Sequence, residues 1–287
     1  MGRTYRRSLA RSRIFGRRDS TISHTRGGLT MGAIHVTHDQ HVAVVTIDDA
    51  ERYNAMSLSM WIALKQAFDD IEHNAQVRAV ILRGAGEKAF VSGANISEFE
   101  TQRNSEASVA HYNQSVAQAQ DAITRCRVPV IAAISGICYG GGLGLALSCD
   151  LRYASPASKF RMPAARLGLG YGYRGMKSIL QNLGPTAAAE AFYTAKVYVA
   201  SEAAHIGIVN AVHDDVFAHC AEVALQISQN APLTVQAAKQ AMLCIADGDT
   251  SQIARIDQAV DACFKSSDYA EGRLAFAQKR LPQFTGH

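Results

Sequence analysis

Two glycine-containing loops hold the residue types whose spacing could support chemistry. The first loop spans residues 88–96 and reads KAFVSGANI, and the second spans residues 136–144 and reads GICYGGGLG. Glycine lets backbone N–H groups approach a ligand closely because no Cβ stands in the way. A helix that begins in such a loop adds unpaired N–H groups and a partial positive charge. Each loop could therefore stabilise an anion or a developing oxyanion.

A short apolar run precedes each loop and predicts a buried strand, at residues 78–84 and 128–135. Residues 128–149 contain no charge over 22 residues, which is long enough to cross a bilayer. Five glycines and a proline interrupt this segment, so we interpret it as a buried strand, a glycine loop and the start of a helix. Glycines before a helix can equally serve tight packing, and the second loop alone does not decide between packing and chemistry.

The remaining pattern alternates strands with helices and then becomes helical. This order predicts an α/β architecture with a helical C-terminal end. We expect strands at residues 36–37, 42–48, 78–84, 128–135 and 150–154, and helices at residues 57–74, 107–125, 234–246, 253–264 and 270–279, with mostly helical structure from residue 185 onward.

Basic charge is confined to the N-terminus. The 287 residues have a net charge of +4, but residues 1–30 hold eight arginines, no lysine and one acid, so the rest of the chain carries 4 − 7 = −3. We interpret residues 1–30 as a disordered extension from an upstream start codon, and we expect Met31 to be the true start. The competing interpretation is a mitochondrial transit peptide, because the segment is rich in Arg and Ser. No fold motif for nucleic-acid binding accompanies it.

Several other kinds of site are not expected, because the sequence lacks the motifs or the structural context that they require. The six cysteines form no CxxC pair and most lie in apolar runs, which predicts reduced, buried thiols and no zinc site. HExxH, GxSxG and P-loop motifs are absent. Gly170, Gly172 and Gly175 match the GxGxxG spacing, but no apolar strand precedes them, so dinucleotide binding is not expected. The cysteines are Cys126, Cys138, Cys149, Cys220, Cys244 and Cys263.

Several ordered motifs between residues 34 and 286 resemble the crotonase superfamily, also called the enoyl-CoA hydratase/isomerase family. The number and order of these motifs make the resemblance specific. The matching runs are ERYNAM (51–56), KAFVSGANISEF (88–99), GICYGGGLGLALSCDLRYAS (136–155), residues 160–169 and residues 267–280.

The resemblance implies a fold and a domain organisation. It implies an α/β, crotonase-like spiral of β-β-α units, with a C-terminal helical region that associates into a trimer, often as a dimer of trimers. We therefore expect residues 1–30 to be a basic extension, residues 31–225 to form the spiral core and residues 226–287 to form the C-terminal helical region.

The resemblance also implies site residues. The backbone N–H groups of Ala94 and Gly141 would form an oxyanion hole for the carbonyl of an acyl-coenzyme A thioester. Coenzyme A enters as part of that substrate, and no separate cofactor or metal is expected. Each of the two lysines assigned to the coenzyme A portion could equally be a solvated surface residue. That portion would lie near Arg52, Ala55, Lys88, Ser92, Asn95, Ile96 and Lys279.

The sequence departs from the hydratases of this family at two positions. Those enzymes use two glutamates to handle the water, and here Gly144 and Ala164 stand at the matching positions. Neither side chain can transfer a proton, so hydratase activity itself is in doubt. Asn95 also stands where many family members have aspartate.

Tyrosines are the remaining candidates for work at the acyl group. Tyr171 lies in a segment similar to that of family members which decarboxylate malonyl-type thioesters, where a tyrosine helps to orient the carboxylate. Tyr139, Tyr173 and Arg166 lie on or beside the same pocket segments. These aromatic residues could equally do no more than line an acyl pocket.

Three functions stay open at this level. The first is an acyl-CoA enzyme whose reaction passes through an oxyanion-hole enolate without the hydratase glutamates. The second is a decarboxylase of malonyl-type thioesters, and the third is a non-catalytic acyl-CoA binder. We expect a small-molecule substrate, no nucleic-acid or membrane partner, and a homotrimer or hexamer. We expect a cytoplasmic location, or the mitochondrial matrix if residues 1–30 are a transit peptide.

Overall fold

The computed structural model describes residues 20–22, 32–95 and 105–287, with side chains from residue 32 onward. Within these ranges a seven-stranded and a four-stranded sheet form the centre of the protein. The strands are β1 (Ser20–Ile22), β2 (Ala33–Asp39), β3 (Val42–Asp48), β4 (Ala79–Gly84), β5 (Ala89–Val91), β6 (Val130–Ile134), β7 (Ile137–Tyr139), β8 (Leu151–Ala154), β9 (Lys159–Arg161), β10 (Tyr198–Val199) and β11 (Ala211–Val212). The helices are α1 (Leu58–His73), α2 (Glu106–Arg125), α3 (Gly141–Leu147), α4 (Tyr173–Thr194), α5 (Ala200–His205), α6 (Val216–Ser228), α7 (Pro232–Asp247), α8 (Ile253–Lys265) and α9 (Ser267–Gln278), with short 3-10 helices at Ala50–Arg52, Ala164–Leu167 and Thr250–Gln252.

Repeated strand–strand–helix units generate the two sheets. After the antiparallel hairpin of β2 and β3, each unit places its first strand in the large sheet and its second in the small sheet. Strands β4, β6 and β8 follow β3 in parallel in the large sheet, while β5, β7 and β9 are parallel in the small sheet. Each unit thus advances by one strand in both sheets. This arrangement confirms the predicted α/β spiral of β-β-α units.

The large sheet is covered on both faces. Ala43 and Val45 of β3 belong to the main apolar cluster together with the buried face of α1. Val42 and Val44 of the same strand belong to a second cluster with Cys220 of α6. A strand that is buried on both faces needs apolar side chains at successive positions. This explains why β3 and β4 appear in the sequence as nearly continuous apolar runs.

The structure differs from the sequence prediction in several elements: β1, β5, β7, β9, β10 and β11 were not predicted as strands, and two further elements begin earlier than expected. Strand β2 begins at Ala33 rather than at residue 36, because it pairs with β3 along its full length. Helix α4 begins at Tyr173, well before the helical region predicted from residue 185. It is broken at Gly184, whose φ is 72°, and it resumes at Pro185. Since proline fits the first turn of a helix, the pair Gly184-Pro185 marks a junction between two helical segments.

The C-terminal helices are anchored to the core by buried polar contacts. Lys239 of α7 is 3% exposed, and its Nζ donates to Asp150 Oδ2 at 2.7 Å and to the Val128 carbonyl at 3.0 Å. Arg78 donates to the carbonyls of Ser228 and Phe284 at 3.0 and 2.9 Å. These bonds join the helical region to the large sheet.

The predicted division of the chain at residue 225 falls inside α6, which extends to Ser228 and packs against β4 and β6. Of the predicted extension at residues 1–30, the structure describes residues 20–22, which form β1 beside β2, and the rest lies outside the described residues. The division into three parts stays a prediction. No helix of the described ranges is long and apolar enough to cross a membrane, and the uncharged segment 128–149 forms β6, β7 and α3.

Candidate functional site

The segments predicted as loops at residues 88–96 and 136–144 each contain a short strand, β5 and β7, and they lie side by side because these strands are neighbours. Strands β5 and β7 are parallel, and Val91 is in register with Cys138. Ala94 follows Val91 by three residues, and Gly141 follows Cys138 by three residues. Since parallel strands end at the same edge of a sheet, the two loops leave the small sheet together. The structure therefore places both predicted oxyanion-hole residues at one edge.

The backbone of Ala94 has an N–H group that the neighbouring strand does not use. Ala94 forms an isolated bridge with Met56. In this bridge the Met56 N–H donates to the Gly93 carbonyl at 2.8 Å, and the Asn95 N–H donates to the Met56 carbonyl at 2.9 Å. Successive peptide groups of an extended chain point to opposite sides, so the Ala94 N–H points away from Met56.

Gly141 begins helix α3. Its neighbour Gly140 has a φ of 52°, which favours glycine, and donates its N–H to the Arg161 carbonyl at 2.9 Å. The first residue of a helix has no carbonyl four residues earlier within the helix to accept its N–H. The Gly141 N–H is therefore a donor at the positive end of α3.

Two other glycines of the second loop serve packing. A Cβ on Gly136 would lie 2.0 Å from the Lys88 carbonyl oxygen, and a Cβ on Gly142 would lie 2.2 Å from the Val91 carbonyl oxygen. Gly141 is different, because its nearest neighbour is the Trp61 ring at 3.3 Å from the same constructed position. Main-chain packing thus explains Gly136 and Gly142, whereas Gly141 lies in close contact with an aromatic side chain.

Most residues predicted near coenzyme A lie together beside the first loop. The Ser92 N–H donates to the Tyr53 carbonyl at 3.1 Å, and the Ser92 hydroxyl lies 3.5 Å from the Arg52 carbonyl. Ala55 and Asn95 flank the Met56 bridge in the same layer. The Arg52 guanidinium is exposed and forms an ion pair with Asp49 at 3.5 Å.

The remaining predicted contacts are spread more widely. Lys88 is exposed at the start of the first loop, and its carbonyl accepts from the Ile137 N–H at 3.0 Å. Lys279 is exposed at the C-terminal end of α9, on the helical region rather than beside the loops. Ile96 lies outside the described residues. No side-chain contact with another described residue assigns a role to either lysine, and their contacts to coenzyme A stay predictions.

The two positions at which the resemblance predicts missing hydratase glutamates hold small residues in different surroundings. Ala164 is buried and starts the 3-10 helix Ala164–Leu167. Gly144 lies one turn beyond Gly141 on α3, and a Cβ on it would lie 2.5 Å from Gln120 Nε2. The amide of Gln120, from helix α2, therefore covers Gly144. The sequence placed no functional residue on α2.

Tyr171 lies at the edge of the core. Its ring packs edge-to-face on Phe192 with the centroids 5.4 Å apart, and it covers Gly175. Burial raises the pKa of the Tyr171 hydroxyl, so it is protonated at neutral pH and can donate a hydrogen bond. Tyr139 is half-buried in β7, whereas Tyr173 and Arg166 are exposed. Of the four candidates, Tyr139 and Tyr171 are thus the two whose side chains are not exposed.

Two buried residues, Asn54 and Trp61, stabilise the neighbourhood of the site and were not predicted from the sequence. Asn54 has a φ of 54°, and its side chain bonds the Asp49 N–H and the carbonyls of Ala85 and Ala89 at 2.8 to 3.0 Å. Trp61 donates from Nε1 to the Tyr112 hydroxyl at 3.0 Å. An asparagine in the left-handed region is a recognisable turn signal, but the two carbonyl groups that accept from its amide are 31 and 35 residues away in the sequence.

Most of the cysteines lie in the core. All six are unbridged, and Cys126, Cys138, Cys149 and Cys220 are buried. Burial raises the pKa of Cys138 in β7 well above its ordinary value, so this thiol stays protonated. Within the part of the chain that the structure describes, no three His, Cys, Asp or Glu side chains are grouped so as to hold a metal ion.

Comparison with known proteins agrees with this geometry. A solved structure from Magnetospirillum magneticum, described as an enoyl-CoA hydratase/carnitine racemase, superposes with a TM-score of 0.84 at 36% identity and covers 90% of this chain and 97% of its own. The short-chain-enoyl-CoA hydratase of Clostridium acetobutylicum is 35% identical over 83% of this chain and 92% of its own length. The methylmalonyl-CoA decarboxylase of Escherichia coli is 29% identical over 88% of this chain and 98% of its own length.

A family model described as enoyl-CoA hydratase/isomerase matches residues 37–287, which include every described element from β3 onward. The matching region contains both glycine loops, the two positions without glutamate and the C-terminal helices. The chain belongs to the enoyl-CoA hydratase/isomerase family.

Proposed function

We propose that the protein binds an acyl-coenzyme A thioester and stabilises its enolate with the backbone N–H groups of Ala94 and Gly141. The observation that carries this proposal is the pairing of β5 with β7, which brings both donors to one edge. The enolate oxygen bears nearly a full negative charge. In a comparable oxyanion hole, removing one donor costs about 2.7–4 kcal/mol of transition-state stabilisation.

Hydration is a poor fit to the residues around this site. It needs one group to activate water and another to protonate the α carbon, and Gly144 and Ala164 supply neither. The Gln120 amide beside Gly144 does not titrate near neutral pH. The chain keeps the backbone donors of the family without the carboxylates that handle water.

Decarboxylation of a malonyl-type thioester is the second candidate, and Tyr171 favours it. In that reaction the bond between the α carbon and the carboxylate breaks, carbon dioxide leaves and the electron pair passes to the thioester oxygen. A proton from water then completes the α carbon, so no carboxylate base is needed. The protonated Tyr171 hydroxyl could hold the departing carboxylate, and one relative is a methylmalonyl-CoA decarboxylase.

Product analysis separates the two reactions from simple binding. The purified protein is incubated with crotonyl-CoA and with methylmalonyl-CoA, and acyl-CoA binding is measured by calorimetry. Propionyl-CoA formed from methylmalonyl-CoA supports decarboxylation. Binding without either product supports a non-catalytic binder, and absence of binding rejects the proposed function. Tyr171→Phe slows decarboxylation if its hydroxyl holds the carboxylate, whereas the control Tyr173→Phe, at an 81% exposed position, leaves it unchanged.

The C-terminal helices support a proposed self-association. Large apolar side chains are exposed there, and a cleft of about 690 Å³ with mostly apolar walls lies between α7, α8 and α9 rather than at the glycine loops. We expect a homotrimer or hexamer by light scattering. Phe276→Asp should convert the oligomer to a monomer, whereas the control Tyr193→Asp on α4 should leave the oligomeric state unchanged. A monomeric wild-type protein would reject this proposal. The exposed side chains are Met242, Ile245, Ile253, Val260, Phe264, Tyr269, Leu274, Phe276 and Leu281.

A further inference from the structure

The side chain of Gln120 occupies the space in front of Gly144. A Cβ built on Gly144 would lie 2.5 Å from Gln120 Nε2 and 3.7 Å from its Cδ. Gly144 and Gly141 are three residues apart on α3, so they lie on the same face of the helix. The Gln120 amide therefore lies one helical turn from the oxyanion donor, in the space that any side chain at residue 144 would enter.

Helix α2 directs this amide toward the site. Tyr112, Val116 and Gln120 are spaced by four residues and share one face of α2, and Tyr112 and Val116 pack in the main apolar cluster. Tyr112 accepts a hydrogen bond from Trp61, whose ring lies 3.3 Å from the Cβ position of Gly141. One face of α2 thus runs alongside α3 from the Gly141 end to Gly144.

The amide has hydrogen-bonding capacity that the described residues do not use. Gln120 is half-buried, and no hydrogen bond joins its side chain to another described residue. An amide NH₂ group carries two donors, and a ligand that replaces the solvent in front of it can accept a hydrogen bond from it. The Gln120 amide is thus a donor available to a molecule bound in front of Gly144.

Among the described residues, the two positions beside the amide and its neighbour on α2 place no unpaired carboxylate there. Gly144 and Ala164 are uncharged, and Asp121, the next residue on α2, is exposed and pairs with Arg174 at 2.9 Å. Carboxylates at residues 144 and 164 would repel an acyl group that itself ends in a carboxylate. A neutral amide donor has the opposite preference, since hydrogen bonds to charged acceptors are the stronger ones.

We propose that Gln120 is a specificity-determining residue whose amide donates a hydrogen bond to a carboxylate on the acyl group of the bound thioester. This inference rests on the proposed acyl-CoA site. It names acyl-CoA thioesters that carry a second carboxylate as the preferred substrate class. It also explains why the position of the first hydratase glutamate can be a glycine, because the amide occupies that place.

The test compares two ligands that differ in one carboxylate. Succinyl-CoA and butyryl-CoA have four-carbon acyl groups, and only succinyl-CoA ends in a carboxylate. Calorimetry gives the Kd of each for wild type, Gln120→Ala, Gln120→Glu and the control Gln118→Glu, at an exposed position two residues away on α2. We expect Gln120→Ala to raise the Kd of succinyl-CoA roughly tenfold, which is the loss typical of one hydrogen bond to a charged group. The same substitution should change the Kd of butyryl-CoA less than about twofold. Gln120→Glu should weaken succinyl-CoA further, and Gln118→Glu should change neither ligand.

A second variant tests the contact with Gly144. Gly144→Ala should displace the amide, so its effect on succinyl-CoA should resemble that of Gln120→Ala, and the double variant should be no worse than either. Equal changes for both ligands, or additive effects of the two substitutions, would overturn the role of Gln120 while leaving the acyl-CoA site intact. A wild-type protein that binds neither ligand would overturn the proposed function and this inference together. Melting temperatures confirm that each variant is folded.

Discussion

Two glycine-rich segments, residues 136–144 and residues 168–172, differ in how closely their glycines contact the rest of the fold. In residues 136–144, a Cβ on Gly136 or Gly142 would collide with backbone oxygens of the neighbouring strand at 2.0 and 2.2 Å. In the segment before α4, a Cβ on Gly168, Gly170 or Gly172 would meet nothing within 4 Å. The segment at residues 136–144 is fixed by contacts with the main chain of the neighbouring strand, whereas the segment at residues 168–172 lies in open space.

This difference separates two kinds of chemistry. The proposed oxyanion donors are backbone N–H groups whose position follows from strand pairing, so side-chain substitutions elsewhere leave them in place. In the proposed site, acid–base chemistry would depend on the side chains at residues 144 and 164, neither of which lies in a strand. We infer that a family member can lose proton transfer and keep enolate stabilisation because the two depend on different parts of the structure.

The largest effect is expected from removing one backbone donor. Gly141→Pro deletes the N–H while keeping a residue that is tolerated at the first position of a helix. We expect turnover of the best thioester substrate to fall by about 10²–10³-fold. Gly141→Ala is the matched control, because it keeps the N–H and adds only a Cβ at 3.3 Å from Trp61. Equal activity in two folded variants would contradict the oxyanion role.

The next largest effect is a loss of stability when a side chain is added in the closely packed segment at residues 136–144. Gly136→Ala places a Cβ 2.0 Å from the Lys88 carbonyl oxygen at a φ of 68°, and we expect a loss of stability of at least about 3 kcal/mol from overpacking and backbone strain. Gly170→Ala, in open space, should change stability by less than about 0.5 kcal/mol. Urea denaturation measures both. Similar losses in the two variants would remove the contrast between the segments.

A third prediction concerns the attachment of the C-terminal helices. Lys239→Met leaves Asp150 and the Val128 carbonyl without their buried partner, and we expect a loss of about 2–3 kcal/mol because Asp150 keeps some solvent contact. Lys177→Met removes a more exposed pair with Asp247 at 3.0 Å and should cost less than about 1 kcal/mol. Thermal unfolding that ranks the two variants in the reverse order would show that Lys239 is not an anchor.

The smallest effect is expected at the N-terminus. Deletion of residues 1–19 retains β1 and should leave the melting temperature and acyl-CoA affinity unchanged. Deletion of residues 1–30 also removes the three-residue edge strand that pairs with β2, and we expect a shift of no more than a few degrees. A clear loss of affinity in either truncated protein would mean that the extension takes part in binding.

The sequence predicted the core more completely than the site. Apolar runs are local signals, and they located β2, β3, β4, β6 and β8 of the large sheet and most of the helices, but none of the short strands of the small sheet. The glycine loops were recognised because their pattern is also local. Gln120 was not recognised, because an amide on a helix gives no sign of its distant neighbour Gly144. The start of α4 was missed because its first residues form a polar, glycine-containing run.

The most direct test of the account is the rate of crotonyl-CoA hydration, measured beside crotonyl-CoA binding and beside a family member that carries both glutamates. Positioned acid–base groups each contribute about 10²–10⁴-fold, and this chain lacks two of them. We predict binding of crotonyl-CoA with hydration at least about 10⁴-fold slower than in the two-glutamate enzyme. A hydration rate within about tenfold of that enzyme would contradict the account, since another residue would then have to activate the water.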